Sequence, residues 1–194
     1  STYNEGNLTE VSIFDYALSA SQVTELYGTG SAIGNPMAIT NGRKPVAYYP
    51  LGNAAFNGEF LASNGAEQDY VFDFTADYID ANAASYLNAV SNFSISTWFT
   101  TDTLASADKF LINIGSSSSE LWGVQLYQGD LIAYGSTSAI YYRYNGHISI
   151  NEWYHLTLVY DGSESAGSRY KVYLNGTLLV ADFAPGTVPA VTPT

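Results

Sequence analysis

The acidic side chains are the first candidates for chemistry, because paired carboxylates can hydrolyse glycosidic bonds. A retaining glycosidase needs two carboxyl groups about 5–5.5 Å apart. Asp77 and Asp80 are three residues apart and would point to opposite faces of a strand, and Asp73 shares a face with Asp77 only if no bulge intervenes. Glu120 and Glu164 are isolated in serine-rich segments. We therefore predict that the chain has no catalytic residues and is not an enzyme.

Nucleophilic catalysis has no recognisable motif either. The chain has no Gly-x-Ser-x-Gly elbow and no cysteine, so a thiol nucleophile, a zinc–cysteine site and a disulfide scaffold are excluded. His147 has no catalytic context in the sequence. His155 lies inside the strand-like stretch WYHLTLV, and we predict that it is a packed or hydrogen-bonded structural histidine.

Aromatic residues suggest carbohydrate binding instead. The chain has 17 Tyr, 9 Phe and 3 Trp, and an exposed ring can stack on the apolar face of a sugar while polar neighbours bond its hydroxyls. In the stretch YYRY, however, Tyr142 and Tyr144 would face one side of a strand, and Tyr141 and Arg143 the other, so that half of them could be core. The predicted carbohydrate-binding residues are Trp122, Tyr127, Tyr142, Tyr144 and Asn145.

The charge of the chain limits its partners. The formal net charge is −12, and Lys and Arg together number 6. Nucleic-acid binding needs clustered basic residues, so we expect no nucleic-acid partner. No segment approaches the roughly 20 apolar residues of a membrane span, so we expect no membrane insertion. Strong acidity suits cation binding or a saline extracellular setting.

The candidate site residues lie on or between many short apolar segments. The alternation of apolar and polar residues in these segments, and the spacing between segments, predict an all-β protein. Polar turns such as Gly129–Asp130, Asn145–Gly146, Asp161–Gly162 and Asn175–Gly176 supply the positive φ of tight hairpins. Such a series indicates an antiparallel β-sandwich or barrel. The predicted strands lie within residues 45–52, 68–80, 93–99, 109–114, 121–127, 131–134, 139–144, 153–160, 170–174 and 177–183.

The first thirty residues read as the end of a domain. Residues 8–14 are predicted to form a strand, and residues 20–27 a short helix. Ser19 and Gln22 fit a capping box, Leu18 and Val23 a hydrophobic staple, and Gly28 the end of the helix. A linker is predicted at 31–44, where Gly, Pro and Asn-Gly cluster. The proline-rich residues 185–194 are predicted to be extended and poorly paired.

The motifs PVAYYPLG, VFDFTADYID, FSISTWF, NEWYHLTLVYDG and YKVYLNGTLL follow one another along the chain. In this order they resemble the laminin G-like domains of the concanavalin A-like lectin/glucanase superfamily, over residues 45–183. The resemblance implies a jelly-roll sandwich, with the domain spanning residues 45–184. It also implies an extracellular, cell-surface or virion location.

The resemblance further implies a calcium ion on the rim of the sandwich. Calcium takes six to eight oxygen ligands, and no EF-hand spacing occurs here. Asp161 also fits a simple hairpin-turn role. The candidate calcium ligands are Asp73, Asp77, Asp102 and Asp161.

In the family, a segment like residues 6–27 closes the domain at its C-terminal end, whereas here it lies within residues 1–30. It could therefore complete either its own domain, by permutation, or a neighbouring copy. Two functions follow. The chain could be a structural repeat of a fibre or virion appendage, joined head-to-tail by strand donation between copies, as the displaced segment favours. Alternatively, it could be a lectin-like carbohydrate-binding or adhesion module. The residues predicted to mediate closing or assembly are Val11, Ile13, Phe14, Leu18 and Val23.

Overall fold

Two antiparallel sheets lie face to face in the computed structural model, which describes residues 6–28, 34–50, 87, 89–104, 109–117, 120–136, 140–182, 187–190 and 192. The strands are β1 (Leu8–Phe14), β2 (Ala47–Tyr49), β3 (Asn92–Phe99), β4 (Lys109–Ser117), β5 (Glu120–Tyr127), β6 (Asp130–Ser136), β7 (Tyr141–Tyr144), β8 (Tyr154–Asp161), β9 (Tyr170–Leu174) and β10 (Thr177–Leu178). Their order is β10-β9-β8-β3-β1-β2 in one sheet and β4-β5-β6-β7 in the other. The predicted sandwich is confirmed.

Most predicted strands agree closely with the structure. The largest difference is β10, which is predicted over 177–183 but ends at Leu178. The strands predicted within 68–80 lie outside the described residues. Between the sheets, the rings of Phe93, Trp122, Tyr160 and Tyr170 pack with neighbouring centroids 5.0–6.5 Å apart. The heavy aromatic content of the chain therefore fills its core.

The closing segment completes the sandwich of its own chain. Strand β1 lies between β2 and β3 of the six-stranded sheet. Val11 and Ile13 face the core between the sheets, while Phe14, Leu18 and Val23 form a second apolar cluster under the helix. All five side chains are buried against the same chain. The expected donation of this strand to another copy is therefore corrected, because its partners are already present.

A β-bulge explains the imperfect alternation of β1. The pairing register with β3 shifts between Thr9 and Ser12, and Glu10 has a φ of 54°. The extra residue puts Leu8 on the same side as Val11 and Ile13, so that all three contribute to the core between the sheets.

The helix α1 (Ala20–Tyr27) has the predicted bounds and caps. The side chain of Ser19 accepts from the Gln22 N–H, and that of Gln22 accepts from the Ser19 N–H, which confirms the capping box. The helix lies on the outer face of the six-stranded sheet, where Val23 and Leu26 pack beside Val159 and Tyr173.

The predicted linker and the proline-rich tail both pack onto the domain. In the predicted linker, Ile39 is buried in the second cluster, and the Thr40 N–H donates to Glu25. In the tail, Val188 is 1% exposed within the core, and the hydroxyl of Thr192 donates to the Leu87 carbonyl. The described residues of the tail form no strand, and these contacts anchor the tail to the domain.

Candidate functional site

The outer face of the four-stranded sheet carries a row of half-buried aromatic rings, Phe110, Tyr134 and Tyr141, here called the aromatic row. The ring centroids of Phe110 and Tyr134 are 6.2 Å apart, and those of Tyr134 and Tyr141 are 6.1 Å apart. Tyr134 and Tyr141 are direct cross-strand partners on β6 and β7. Because side chains alternate between faces, the row points away from the core that Ala133 and Tyr142 enter.

Gly123 permits the close approach of β4 to β5 beside the aromatic row. Gly123 pairs with Tyr134 and has a φ of 150°, a conformation that residues with a side chain rarely adopt. A Cβ placed there would lie 2.1 Å from the Ile112 carbonyl oxygen. The absence of a side chain at Gly123 therefore allows the backbones of β4 and β5 to pair closely.

We expect Gly123→Ala to lower the free energy of unfolding by at least about 2 kcal/mol, because the backbone of β4 must move aside. Gly146→Ala is the matched control, since Gly146 also has positive φ, 65°, but open space around its Cβ position. It should cost about 1–2 kcal/mol from the backbone conformation alone. Urea unfolding measures both, and equal losses would contradict the steric explanation.

A polar network, here called the arginine network, stands at one end of this face and consists of Asp130, Arg143 and Asn145. Arg143 donates from Nε and Nη2 to the same Asp130 oxygen, over 2.9 and 2.5 Å, and from Nε to the Asn145 amide oxygen over 3.1 Å. The other Asp130 oxygen accepts from the Gly146 N–H over 2.7 Å. The hairpin turn thus fixes the carboxylate that orients the guanidinium.

Tyr127 joins the arginine network to the aromatic surface. The guanidinium carbon of Arg143 lies 5.8 Å from the centroid of the half-buried Tyr127 ring, within cation–π range. The hydrogen bond with Asp130 raises the pKa of Arg143 above its ordinary value, so the guanidinium stays charged. The face therefore presents flat rings beside a fixed cation, with amide and carboxylate oxygens close by.

The structure divides the predicted carbohydrate-binding residues into two groups. Trp122, Tyr142 and Tyr144 are only 1–3% exposed and lie in the core, so they offer no ring face to a ligand, which corrects the prediction for these three. Burial also raises the pKa of the Tyr144 hydroxyl. Tyr127 and the exposed Asn145 do come together, on either side of Arg143.

Asp130 and the aromatic row were not among the site residues predicted from the sequence. The alternation of YYRY was recognised, but alternation alone does not show which side faces the core. That side follows from the partner strand, where Tyr142 pairs with Ala133 and Tyr144 with Leu131, both completely buried. The apolar residues of β6 were therefore the sequence signal that could have shown which tyrosines of YYRY face the core.

The predicted calcium ligands do not converge within the described residues. Asp102 is exposed just beyond the end of β3, whereas Asp161 pairs with Asn92 at the start of that strand, so the two cannot share an ion. The carboxylate of Asp161 accepts from the backbone and side chain of Ser163, as a turn aspartate does. Asp73 and Asp77 lie outside the described residues, and a calcium ion there stays a prediction. No three His, Asp or Glu side chains cluster in the described part.

One pair resembles a nucleophile with its base. The Ser96 hydroxyl and His155 Nε2 are 2.7 Å apart. Both residues are 2% exposed, however, and burial lowers the pKa of His155 to about 4, so the imidazole is a weak base. The Ser96 hydroxyl also accepts from Thr157. The predicted structural role of His155 therefore agrees with its burial and hydrogen bond.

Comparison with known proteins supplies a family. The laminin G-like family model described as "Concanavalin A-like lectin/glucanases superfamily" matches residues 73–192, more than half of the chain. Searches of curated proteins and of solved structures found no match. No helix in the described residues has the length and apolarity needed to cross a membrane. The sandwich of two antiparallel sheets agrees with the family match, and the chain belongs to the laminin G-like domains of the concanavalin A-like lectin/glucanase superfamily.

Proposed function

We propose that the protein is a non-catalytic, lectin-like adhesion module of an extracellular surface, and that it binds carbohydrate on the outer face of its four-stranded sheet. The observation that carries this proposal is the aromatic row beside the arginine network. Rings spaced about 6 Å apart can stack on the apolar faces of a glycan. Arg143, Asp130 and Asn145 provide donors and acceptors for its hydroxyl groups.

The chemistry of this face favours a neutral or acidic glycan. Arg143 donates to Asp130 but retains further N–H groups, because a guanidinium has five. Its side chain is 38% exposed, so these groups can reach a ligand. With a net charge of −12, the domain as a whole would repel a polyanion, so a long acidic polymer is disfavoured relative to a neutral chain.

A structural role in a fibre or virion appendage was the other function expected from the sequence. It rested mainly on the closing segment completing a neighbouring copy. Because β1 pairs with β2 and β3 of its own chain, that role has lost its principal support. Adhesion needs only the surface just described.

The test is a glycan array followed by calorimetric titration of the best ligand. Tyr141→Ala should weaken binding by about 5- to 30-fold, because truncating an aromatic contact residue typically costs about 1–2 kcal/mol. Tyr141→Phe retains the ring and should bind nearly as well. The matched control is Trp153→Ala, which removes another aromatic side chain, 48% exposed, from the loop before β8.

Unchanged affinity in Tyr141→Ala together with loss in Trp153→Ala would move the binding site to that loop and contradict the proposed face. Absence of any glycan ligand would contradict the proposed function itself. Circular dichroism on each variant ensures that a loss of binding is not a loss of folding.

A further inference from the structure

A small cleft lies on the outer face of the other sheet, away from the aromatic row. Its floor is formed by Glu10, Ser96, Trp98 and His155, and the end of α1 together with residues 34–36 forms its cover. The cover is fixed, because the Gly34 N–H donates to the Leu26 carbonyl over 3.1 Å. The space is large enough for about one water molecule.

Two ring nitrogens in this floor lack a hydrogen-bond partner in the described part of the chain. They are Trp98 Nε1 and His155 Nδ1. The two residues are 8% and 2% exposed, and they are cross-strand neighbours whose ring centroids lie 5.2 Å apart. A buried polar group without a partner costs about 1–3 kcal/mol, so two such atoms beside one cleft point to a bound group that satisfies both.

The hydrogen bonds around His155 indicate which groups the ligand must satisfy. The imidazole is neutral near pH 7, so one of its nitrogens carries a hydrogen and the other does not. Nε2 interacts with Ser96, whose oxygen already accepts from the Thr157 hydroxyl. Nδ1 is therefore either a donor or an acceptor toward the cleft, whereas Trp98 Nε1 is only a donor.

Glu10 provides a third polar group and the strained backbone often found at binding sites. It has a φ of 54° within a strand, at the bulge of β1, and is 8% exposed. The Tyr48 hydroxyl donates to one carboxyl oxygen. Burial raises the pKa of this carboxyl by desolvation. The same desolvation penalises any other charge in the cleft, so a neutral occupant is favoured over an anion.

We propose that the cleft binds one hydroxyl oxygen, which accepts from Trp98 Nε1, bonds to His155 Nδ1 and lies beside Glu10. A hydroxyl oxygen accepts from the indole and can either donate to or accept from the imidazole, and it is small enough for a space of about one water molecule. Its source is either a resident water molecule or the hydroxyl group of a small alcohol or polyol. This site is independent of the proposed carbohydrate face.

Crystals grown without polyols test whether the oxygen is a resident water molecule. We expect a single oxygen about 2.7–3.2 Å from both Trp98 Nε1 and His155 Nδ1. The same crystals soaked in ethylene glycol test whether the site accepts the hydroxyl group of a polyol. If the peak stays a single atom, the occupant is resident water, and if it becomes the end of a diol, the site accepts ligand hydroxyls. Absence of an oxygen within hydrogen-bond distance of either nitrogen in both crystals would overturn the proposal.

Solution NMR provides a second measurement that does not depend on crystals. The Trp98 indole N–H should exchange slowly with solvent yet show a cross-relaxation signal to a bound hydroxyl or water. Trp98→Phe assigns this resonance by its disappearance. The exposed Trp153 indole N–H is the control and should exchange rapidly. A slowly exchanging Trp98 N–H with no such signal would contradict a bound oxygen.

Discussion

Replacing Phe14 with alanine should lower the free energy of unfolding by about 3–5 kcal/mol, the usual cost of truncating a fully buried phenylalanine. Phe14 is 0% exposed and lies between the six-stranded sheet and α1, among Leu18, Val23 and Val159. The large cavity left under the helix could collapse only by moving α1. Urea unfolding followed by tryptophan fluorescence measures the loss.

Two comparisons define what the Phe14→Ala result means. Met37→Ala removes a side chain that is 41% exposed in the short 3-10 helix Pro36–Ala38, and it should change stability by less than about 0.5 kcal/mol. The unfolding midpoint of the native protein should not depend on protein concentration, because β1 pairs within its own chain. A midpoint that rises with concentration would instead indicate exchange of this segment between copies.

Acidification should destabilise the protein through His155. Burial lowers the pKa of this imidazole to about 4 from its ordinary value of 6.5. The unfolded chain therefore binds a proton before the folded chain does, so the stabilising contribution is fully present above about pH 6.5 and is lost as the pH falls toward 4. Because each pH unit between the two pKa values corresponds to about 1.4 kcal/mol, the loss is about 3 kcal/mol.

The groups around His155 define the control for this pH dependence. Ser96, Trp98 and Thr157 have no ionisable side chain, whereas the nearby Glu10 carries a carboxyl group. The raised pKa of Glu10 acts in the opposite direction, since its protonation on acidification favours the folded state. His155→Gln should therefore flatten the stability profile between pH 6.5 and 4, while substitution of the exposed His147 should not. Identical profiles for the native protein and His155→Gln would contradict this assignment.

Local signals predicted the secondary structure well, because they act within a few residues. The capping box of Ser19 and Gln22 and the Asn175–Gly176 turn fix a helix start and a hairpin, respectively, with little help from the rest of the fold. The location of the closing segment was harder to predict. Its partners, β2 and β3, are distant in sequence, and an apolar strand fits a neighbouring copy as well as its own chain.

The candidate site depended on contacts between strands, which alternation alone does not specify. Tyr141 and Tyr142 are adjacent and chemically identical, yet one belongs to the aromatic row and the other to the core. Pairing with β6 determines which of the two tyrosines faces the core. The cleft at Glu10 was still less predictable, since a bulge and two distant strands create it.

The position of β3 at the centre of the six-stranded sheet has a consequence for how fast the chain folds. Asn7 bonds to Thr100, 93 residues further along the sequence, and Thr192 reaches back 105 residues to Leu87. Both ends of the described chain therefore attach to the same middle segment. The chain must order these large loops before it gains any pairing between the strands, and this entropic cost raises the free-energy barrier to folding. All-β domains with distant pairings fold in about milliseconds to seconds. The edge of β1 that pairs with β3 stays open until β3 is available, and during that interval it is exposed to other molecules.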